Sequence, residues 1–199
     1  MAPGILFALT IHEFFHAWTA NRLGDPTARL QGRLSLNPMA HLDLFGTICF
    51  VFAGFGWGKP VPVNSHNFKN PHKGDMLVSA AGPASNLISA LALGLIFRLV
   101  YEFGILPSHL NLVLFYGIRI NLLLAFFNLI PLYPLDGSHV LKGFLPREYV
   151  ASYENFSRYS PFVLLGLIIL GNQGGVSILG SILGPPVTFF LRLFTGIHL

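Results

Sequence analysis

Charge and cysteine are what this sequence has least of. Twelve lysines and arginines and eight aspartates and glutamates make up 10 % of its 199 residues, against roughly 25 % in an ordinary soluble domain. Too few ionic side chains remain to clothe a water-facing surface, which excludes a soluble globular protein. The single cysteine, Cys49, rules out an intramolecular disulfide and any thiolate zinc site. No run of lysine or arginine occurs either. The formal charge of +4 and pI near 9.5 therefore do not indicate nucleic acid; the basic residues flank apolar segments, as topogenic charges do. Internal repeats, low-complexity tails and linkers are absent too. What the chain has is apolar bulk: 53 % hydrophobic residues and a mean hydropathy of +0.62. Its 14 prolines and 21 glycines are tolerable in membrane helices where neighbours or cavities satisfy the freed backbone groups. The expectation is an integral membrane protein.

Pro3–Ala20 predicts a first membrane helix, ended by Asn21, Arg22 and Gly24-Asp25-Pro26. About 20 residues at 1.5 Å each barely span a ~30 Å hydrocarbon core. A signal peptide is the competing reading, but the stretch lacks a basic start, and His and Glu are poor choices for its apolar centre. Thr27–Asn37 alternates polar and apolar residues and predicts a strand or hairpin at the membrane surface. Pro38 can open a short helix holding His41 and Asp43. Leu44–Phe55 is too short to span comfortably and reads as re-entrant. Two glycines and two prolines keep Gly56–Asn64 from being helical and predict an extended, edge-like strand. Met76–Tyr101 and Leu110–Ile130 are full spans; the segment Pro131–Gly137 then bends sharply before a short helix over Ser138–Leu145. Phe162–Leu170 is a short apolar helix and Val176–Phe194 a full span, with Gly184-Pro185-Pro186 predicted to kink or split it. The fold class expected is an all-α polytopic membrane protein, with five to six transmembrane or re-entrant helices and a small interfacial β element.

Orientation follows from the basic residues. Arg22, Arg29, Arg33, Lys59, Lys69 and Lys73 lie between the first and second full spans, and Lys142, Arg147 and Arg158 follow the third. The opposite loop, Glu102 to His109, has neither lysine nor arginine. The positive side is cytoplasmic and the N-terminus faces the other way, provided that Leu44–Phe55 does not cross.

The chemistry is concentrated in the first helix. Its His12-Glu13-Phe14-Phe15-His16 places two imidazoles four residues apart, on one helical face, with a carboxylate beside them. Such a pair suits zinc, and the carboxylate can act on water at the metal. The bland alternative is two partner-satisfied histidines on a core helix. A zinc site needs a third protein ligand, and Asp136 leads: it follows a span ending on the same side as the first helix, and acids near apolar spans are costly and usually functional. A plain interfacial Asp136-Gly137 turn is the other reading. Arg119 lies mid-span and calls for a partner or a wet cavity. His66, His72, His109, His139 and His198 fall in loops or at helix ends and read as interfacial.

HEFFH at 12–16, AGPASN at 81–86 and NLIPLYPLDG at 128–137 together resemble the site-2 protease family of intramembrane zinc metalloproteases. They look like its HExxH, its GPxxN segment and its N-x-x-P-x-x-P-x-D-G element, in order, on three consecutive full spans. Asn37-Pro38, His41, Asp43 and Gly46, with GWGKPVPVN at 56–64, are similar to a compact prokaryotic branch without PDZ or CBS domains. The resemblance implies zinc held by His12, His16 and Asp136, with Glu13 as general base and acid. Asn128 is the best amide donor for the developing oxyanion, or else a helix-to-helix hydrogen bonder; Asn86 is read as packing or orientation. His41 and Asp43 are read as an interfacial structural pair before a lining for water entry. One protease domain over residues 1–199 is expected, its catalytic core about 3–145 and accessory C-terminal spans about 158–197. The implied activity is hydrolysis of a peptide bond in or near transmembrane segments of membrane-protein substrates. The lipid bilayer, and a regulatory membrane partner or a second copy, are the further partners expected. A prokaryotic cell membrane, with the active site toward the cytoplasm, is the expected location. A non-proteolytic membrane metal-binding or transport protein is the alternative. By helical rise, some ten residues from His12 to Arg22 would put the zinc on the order of 15 Å inside, so the site needs a water path.

Overall fold

The computed structural model describes residues 2–53, 56–171 and 178–197, and no strand occurs among the described residues. Its α-helices are α1 (Ala2–Arg22), α2 (Thr27–Leu30), α3 (Leu44–Ala53), α4 (Pro71–Glu102), α5 (Ser108–Asn128), α6 (Asp136–Phe144), α7 (Arg147–Ser157), α8 (Ser160–Gly171) and α9 (Ile178–Thr195). The end of the expected re-entrant segment, 54–55, and the start of the last expected span, 176–177, lie outside the described residues.

Three of the described helices, α4, α5 and α9, are long and apolar enough to cross a membrane. Only 28 %, 28 % and 22 % of their most apolar windows are buried. They therefore turn most of their apolar side chains outward, as lipid-facing helices must. Helix α1 has 21 residues, about 31 Å by helical rise, but its histidines and glutamate lower its hydropathy and it is not among those three.

Helix α4 is the hub against which α1, α5, α6 and α9 pack. The cause is a stripe of buried residues at four-residue spacing: Gly74, Val78, Gly82, Asn86, Ala90 and Gly94. Side chains four apart share a helix face, and small ones let neighbouring backbones approach closely. A Cβ on Gly94 would sit 2.7 Å from the Phe194 Cβ of α9. Ala90 and Phe97 of α4, Ile118 and Leu122 of α5, and Val187, Leu191 and Phe194 of α9 form one buried cluster. Helix α9 thus packs on α4. Its last carbonyls, which a helix end leaves without intrahelical donors, are taken by Arg98, whose guanidinium donates to Phe194 O (2.9 Å) and to Leu193 O.

The structure departs from the sequence reading in three places. Thr27–Leu30 is a helical turn and not a strand. Asp25 Oδ1 accepts from the Thr27 N–H (3.1 Å) and the Thr27 hydroxyl (2.5 Å), which bends the chain at Pro26 into helix before any hairpin can pair. The anticipated β element is reduced to one antiparallel bridge between Leu42 and Gly58. Helix α9 continues through Pro185 and Pro186 without splitting. In lipid, melting a turn there would expose backbone groups with no water to meet them.

The extended 56–64 segment is held from below by two buried charged residues, Asp25 and Arg33. Asp25 is fully buried, and besides Thr27 it accepts from the Asn64 N–H (2.7 Å) and Asn67 Nδ2 (2.7 Å). Burial alone would raise its pKa, but the hydrogen bonds from Thr27, Asn64 and Asn67 outweigh burial and hold it below the usual value. Arg33, also buried, donates to Pro60 O (2.8 Å) and Lys59 O (2.5 Å). His41 and Asp43 also make local hydrogen bonds. His41 is fully buried with Nε2 2.7 Å from Ser35 O, and Asp43 Oδ1 accepts from Gly46 N (2.8 Å) at the start of α3.

Candidate metal centre

His12 and His16 leave α1 on the face turned to α4, and both are buried. Each is tied at Nδ1 by an oxygen of α4. His12 Nδ1 lies 2.7 Å from Asn86 Oδ1, and His16 Nδ1 lies 2.7 Å from the main-chain oxygen of Val78. A carbonyl oxygen can only accept, so each ring carries its proton on Nδ1 and presents the Nε2 lone pair. That arrangement sets an imidazole up as a metal ligand.

Asp136 begins α6, delivered by the turn after α5 that contains the cis Tyr133–Pro134 peptide. Its Oδ2 lies 3.1 Å from His12 Nε2 and 3.3 Å from His16 Nε2. The same oxygen is buried without a hydrogen-bond partner, so the three atoms point at a shared space and not along a donor–acceptor line. Two ligands at zinc–ligand distances of 2.0–2.1 Å in a tetrahedron are about 3.3 Å apart, which is the spacing seen. Among the described residues this is the one group of three His, Cys, Asp or Glu side chains with ligand atoms within 4.8 Å of one another. Two imidazoles and a carboxylate, with no thiolate, fit zinc.

Two glycines make the approach possible. A Cβ on Gly82 would lie 2.4 Å from His16 Nε2 and 2.7 Å from His12 Cε1, inside the site itself. A Cβ on Gly137 would lie 2.3 Å from Leu129 O, because the chain doubles back tightly to present Asp136. The Asp-Gly pair is therefore both a turn and the carrier of the third donor.

Glu13 is half-buried on α1. Its charge reaches Arg33, where it opposes the lowering of the guanidinium pKa by burial. Asn128, at the end of α5, donates from Nδ2 to Leu124 O (3.0 Å), one turn back, which leaves one N–H for another acceptor. Arg119 is exposed on the outer face of α5. The residue that sequence reasoning passed over is Asn121. It is fully buried beside Asn86, whose Nδ2 donates to Asn121 Oδ1 (2.9 Å). Its position seven residues before Asn128 was the available signal, since two helical turns bring both amides to one side of α5.

The chain is similar to known zinc metalloproteases. A model of "Peptidase family M50" matches residues 105–170, which include Asp136. The chain is 38 % identical over 198 residues to "Putative zinc metalloprotease YwhC" of Bacillus subtilis (strain 168), across 97 % of this chain and 90 % of the relative. It is 32 % identical over 181 residues to "Putative zinc metalloprotease Rip2" of Mycobacterium tuberculosis (strain ATCC 25618 / H37Rv), across 86 % of this chain and 67 % of the relative. It is 31 % identical over 81 residues to "Zinc metalloprotease MJ0392" of Methanocaldococcus jannaschii, across 41 % of this chain and 23 % of the relative. No solved structure matches.

Proposed function

The chain belongs to peptidase family M50, and from that premise we propose that His12, His16 and Asp136 hold its zinc, with Glu13 as general base and acid. The protein is a zinc-dependent intramembrane endopeptidase, integral to the lipid bilayer, acting on membrane-protein substrates. The observation that carries the assignment of residues is the convergence of the two Nε2 atoms and Asp136 Oδ2, with both Nδ1 atoms already engaged.

Zinc held by His12, His16 and Asp136 would supply Lewis-acid chemistry there, polarising a carbonyl and acidifying water. Glu13 takes a proton from the attacking water and passes one to the leaving amine. Asn128 gives its remaining N–H to the carbonyl oxygen as that oxygen gains negative charge. The extended 56–64 segment holds an unwound stretch of substrate by strand addition, and the pins from Arg33 and Asp25 support this by fixing that segment.

On this reading residues 1–199 form one protease domain, with a core about 3–145 and C-terminal helices about 158–197. Helices α1, α4, α5 and α9 cross the bilayer, while α3 and α8 are too short and enter without crossing, which gives six membrane elements. The active site faces the cytoplasm of a prokaryotic cell, as the basic residues argue. A partner protein or a second copy controls substrate access.

The test is purified protein with a membrane-spanning substrate, wild type against Glu13→Gln. The variant should keep zinc and lose cleavage by about 10²–10⁴-fold, the range expected for a positioned acid–base group. A variant that keeps zinc and still cleaves refutes the role of Glu13. Zinc crossing liposomes without cleavage would point to a transporter.

A further inference from the structure

We propose that Asn121 is a positioning residue for the metal centre, acting through Asn86 to fix the tautomer and aim of His12. The inference rests on the reading of His12 as a zinc ligand and extends it to a residue on α5 that touches no ligand atom.

The argument is one of direction. A side-chain amide can be turned over, exchanging its oxygen and nitrogen, unless its partners forbid it. Here two main-chain carbonyls, which accept and never donate, forbid it. Asn121 Nδ2 donates to Gly117 O (2.8 Å), so Asn121 must present Oδ1 to its other neighbour. That neighbour is Asn86 Nδ2 (2.9 Å), which also donates to Ala8 O (2.9 Å). With both Nδ2 protons spent, Asn86 must present Oδ1 to His12, and His12 must carry its proton on Nδ1. The polarity of the whole chain is set at Gly117 and Ala8 and read out at His12 Nε2. Ala8 O is also the carbonyl one turn before His12 in α1, so Asn86 grips the same turn that carries the imidazole.

Asn86 and Asn121 are both fully buried, so water does not replace a missing partner. With the Asn121 amide removed, one Asn86 proton has no acceptor, and Ala8 O alone is left to hold Asn86 against turning over. In the fraction that turns over, the Asn86 nitrogen faces His12 Nδ1, which has to accept, moving the imidazole proton to Nε2 and blocking the metal-facing lone pair. Changing a residue that supports a ligand in this way typically costs 10–100-fold in metal affinity.

The experiment is a double-mutant cycle on zinc affinity, read by competition with a chromophoric chelator on the full-length protein in detergent. Asn121→Leu should bind zinc about 10-fold more weakly, within that usual range. Asn86→Leu should lose at least as much, and the double variant should match Asn86→Leu alone, because Asn121 acts only through Asn86. Side-chain ¹⁵N spectra of metal-free protein should show His12 protonated at Nδ1 in wild type and a tautomer mixture in Asn121→Leu. Ser85→Ala, which removes an equally buried hydroxyl bonded only to Gly82 O on α4, should leave zinc affinity unchanged. Asn121→Ser supplies the same comparison should the leucine variant not fold. Wild-type affinity in the Asn121 variants, or losses that simply add in the double variant, would overturn the proposal. Wild-type zinc affinity in His12→Ala would instead overturn the ligand assignment beneath it, and the proposal with it.

Discussion

Adding one methyl group to α4 should separate the stability of this protein from its chemistry. Gly82 is a buried mid-helix glycine, and by backbone entropy alone alanine there would favour the helix by roughly 0.5–1 kcal/mol. The new Cβ, however, would lie 2.4 Å from His16 Nε2, 2.6 Å from His16 Cε1 and 2.7 Å from His12 Cε1. Restoring ordinary contact beyond 3.4 Å requires the His16 ring to move by about 1 Å, and displacements of that size near reacting groups cost on the order of 10²-fold in rate. Overpacking costs roughly 1–3 kcal/mol, so the helix-propensity gain offsets part of the clash and leaves a net cost of about 1 kcal/mol. Gly82→Ala should therefore melt within a few degrees of wild type while kcat/KM falls by about 10²-fold or more and zinc binds more weakly. The matched control is Gly184→Ala on α9, where an added Cβ meets nothing within 4 Å; it should cleave as wild type does. The assays are thermal unfolding, chelator competition and cleavage of a membrane-spanning substrate on the same preparations. Wild-type cleavage by Gly82→Ala would refute the claim that this glycine exists to leave room for the metal ligands.

Zinc removal should abolish cleavage, and re-addition should restore it. Because a group that binds only the folded state stabilises it, zinc at about 100 times its Kd should add about 2.7 kcal/mol to unfolding, measurable as a raised melting temperature that Asp136→Ala does not show. Asp25→Ala leaves two backbone N–H groups, a hydroxyl and an amide without their acceptor and should cost about 2–4 kcal/mol by loss of hydrogen bonds to a buried charge. The wild-type pH profile carries the same signature. With its folded pKa below the usual carboxylate value near 3.8, the contribution of Asp25 is present above that value and lost as pH falls through the folded one, and Asp25→Ala should flatten that acid limb of the unfolding curve. Arg33→Leu frees the carbonyls of Lys59 and Pro60; it should lower kcat/KM about 10-fold through the extended segment, with zinc affinity unchanged in chelator competition.

What could be read in the sequence and what could not divides along a physical line. The three side chains of the candidate metal centre, which the structure brings together, could be picked out because imidazole spacing on a helix and an acid beside an apolar span are local signals. The long helices were legible by hydropathy. Asp25 and Arg33 were not, because a charged residue in a short polar stretch looks solvent-facing until the fold closes over it. Asp25 is covered by residues 64 and 67, some forty positions on. Arg33 is covered by carbonyls of residues 59 and 60, and a main-chain acceptor leaves no trace in side-chain identity. The alternation of Thr27–Asn37 misled for the same reason: one acceptor at Asp25 decides that turn, and the pattern of its neighbours does not.

The hub helix shows how the proposed metal site can depend on a helix that gives it nothing to bind with. Helix α1 brings two imidazoles and α6 brings a carboxylate. From α4 come an empty space at Gly82, an amide oxygen at Asn86 and a main-chain oxygen at Val78. Those contributions recur at four-residue intervals, 78, 82 and 86, so one helical stripe meets the successive turns of α1 that carry His16 and His12. The stripe continues as Ala90 and Gly94 into the cluster shared with α5 and α9. Close packing there fixes the rotation of α4 about its own axis. A helix free to rotate by one residue, about 100°, would take Val78, Gly82 and Asn86 from the imidazoles together. Packing between α4 and α9 is thus tied to ligand geometry near residue 82 through the rigidity of a single helix. Gly94→Leu would test that tie: it should weaken zinc binding by forcing α4 away from Phe194, although Gly94 lies three helical turns from the site. Unchanged zinc affinity in a folded Gly94→Leu protein would mean that α1 and α6 hold the ligands in place without the packing of α4 on α9.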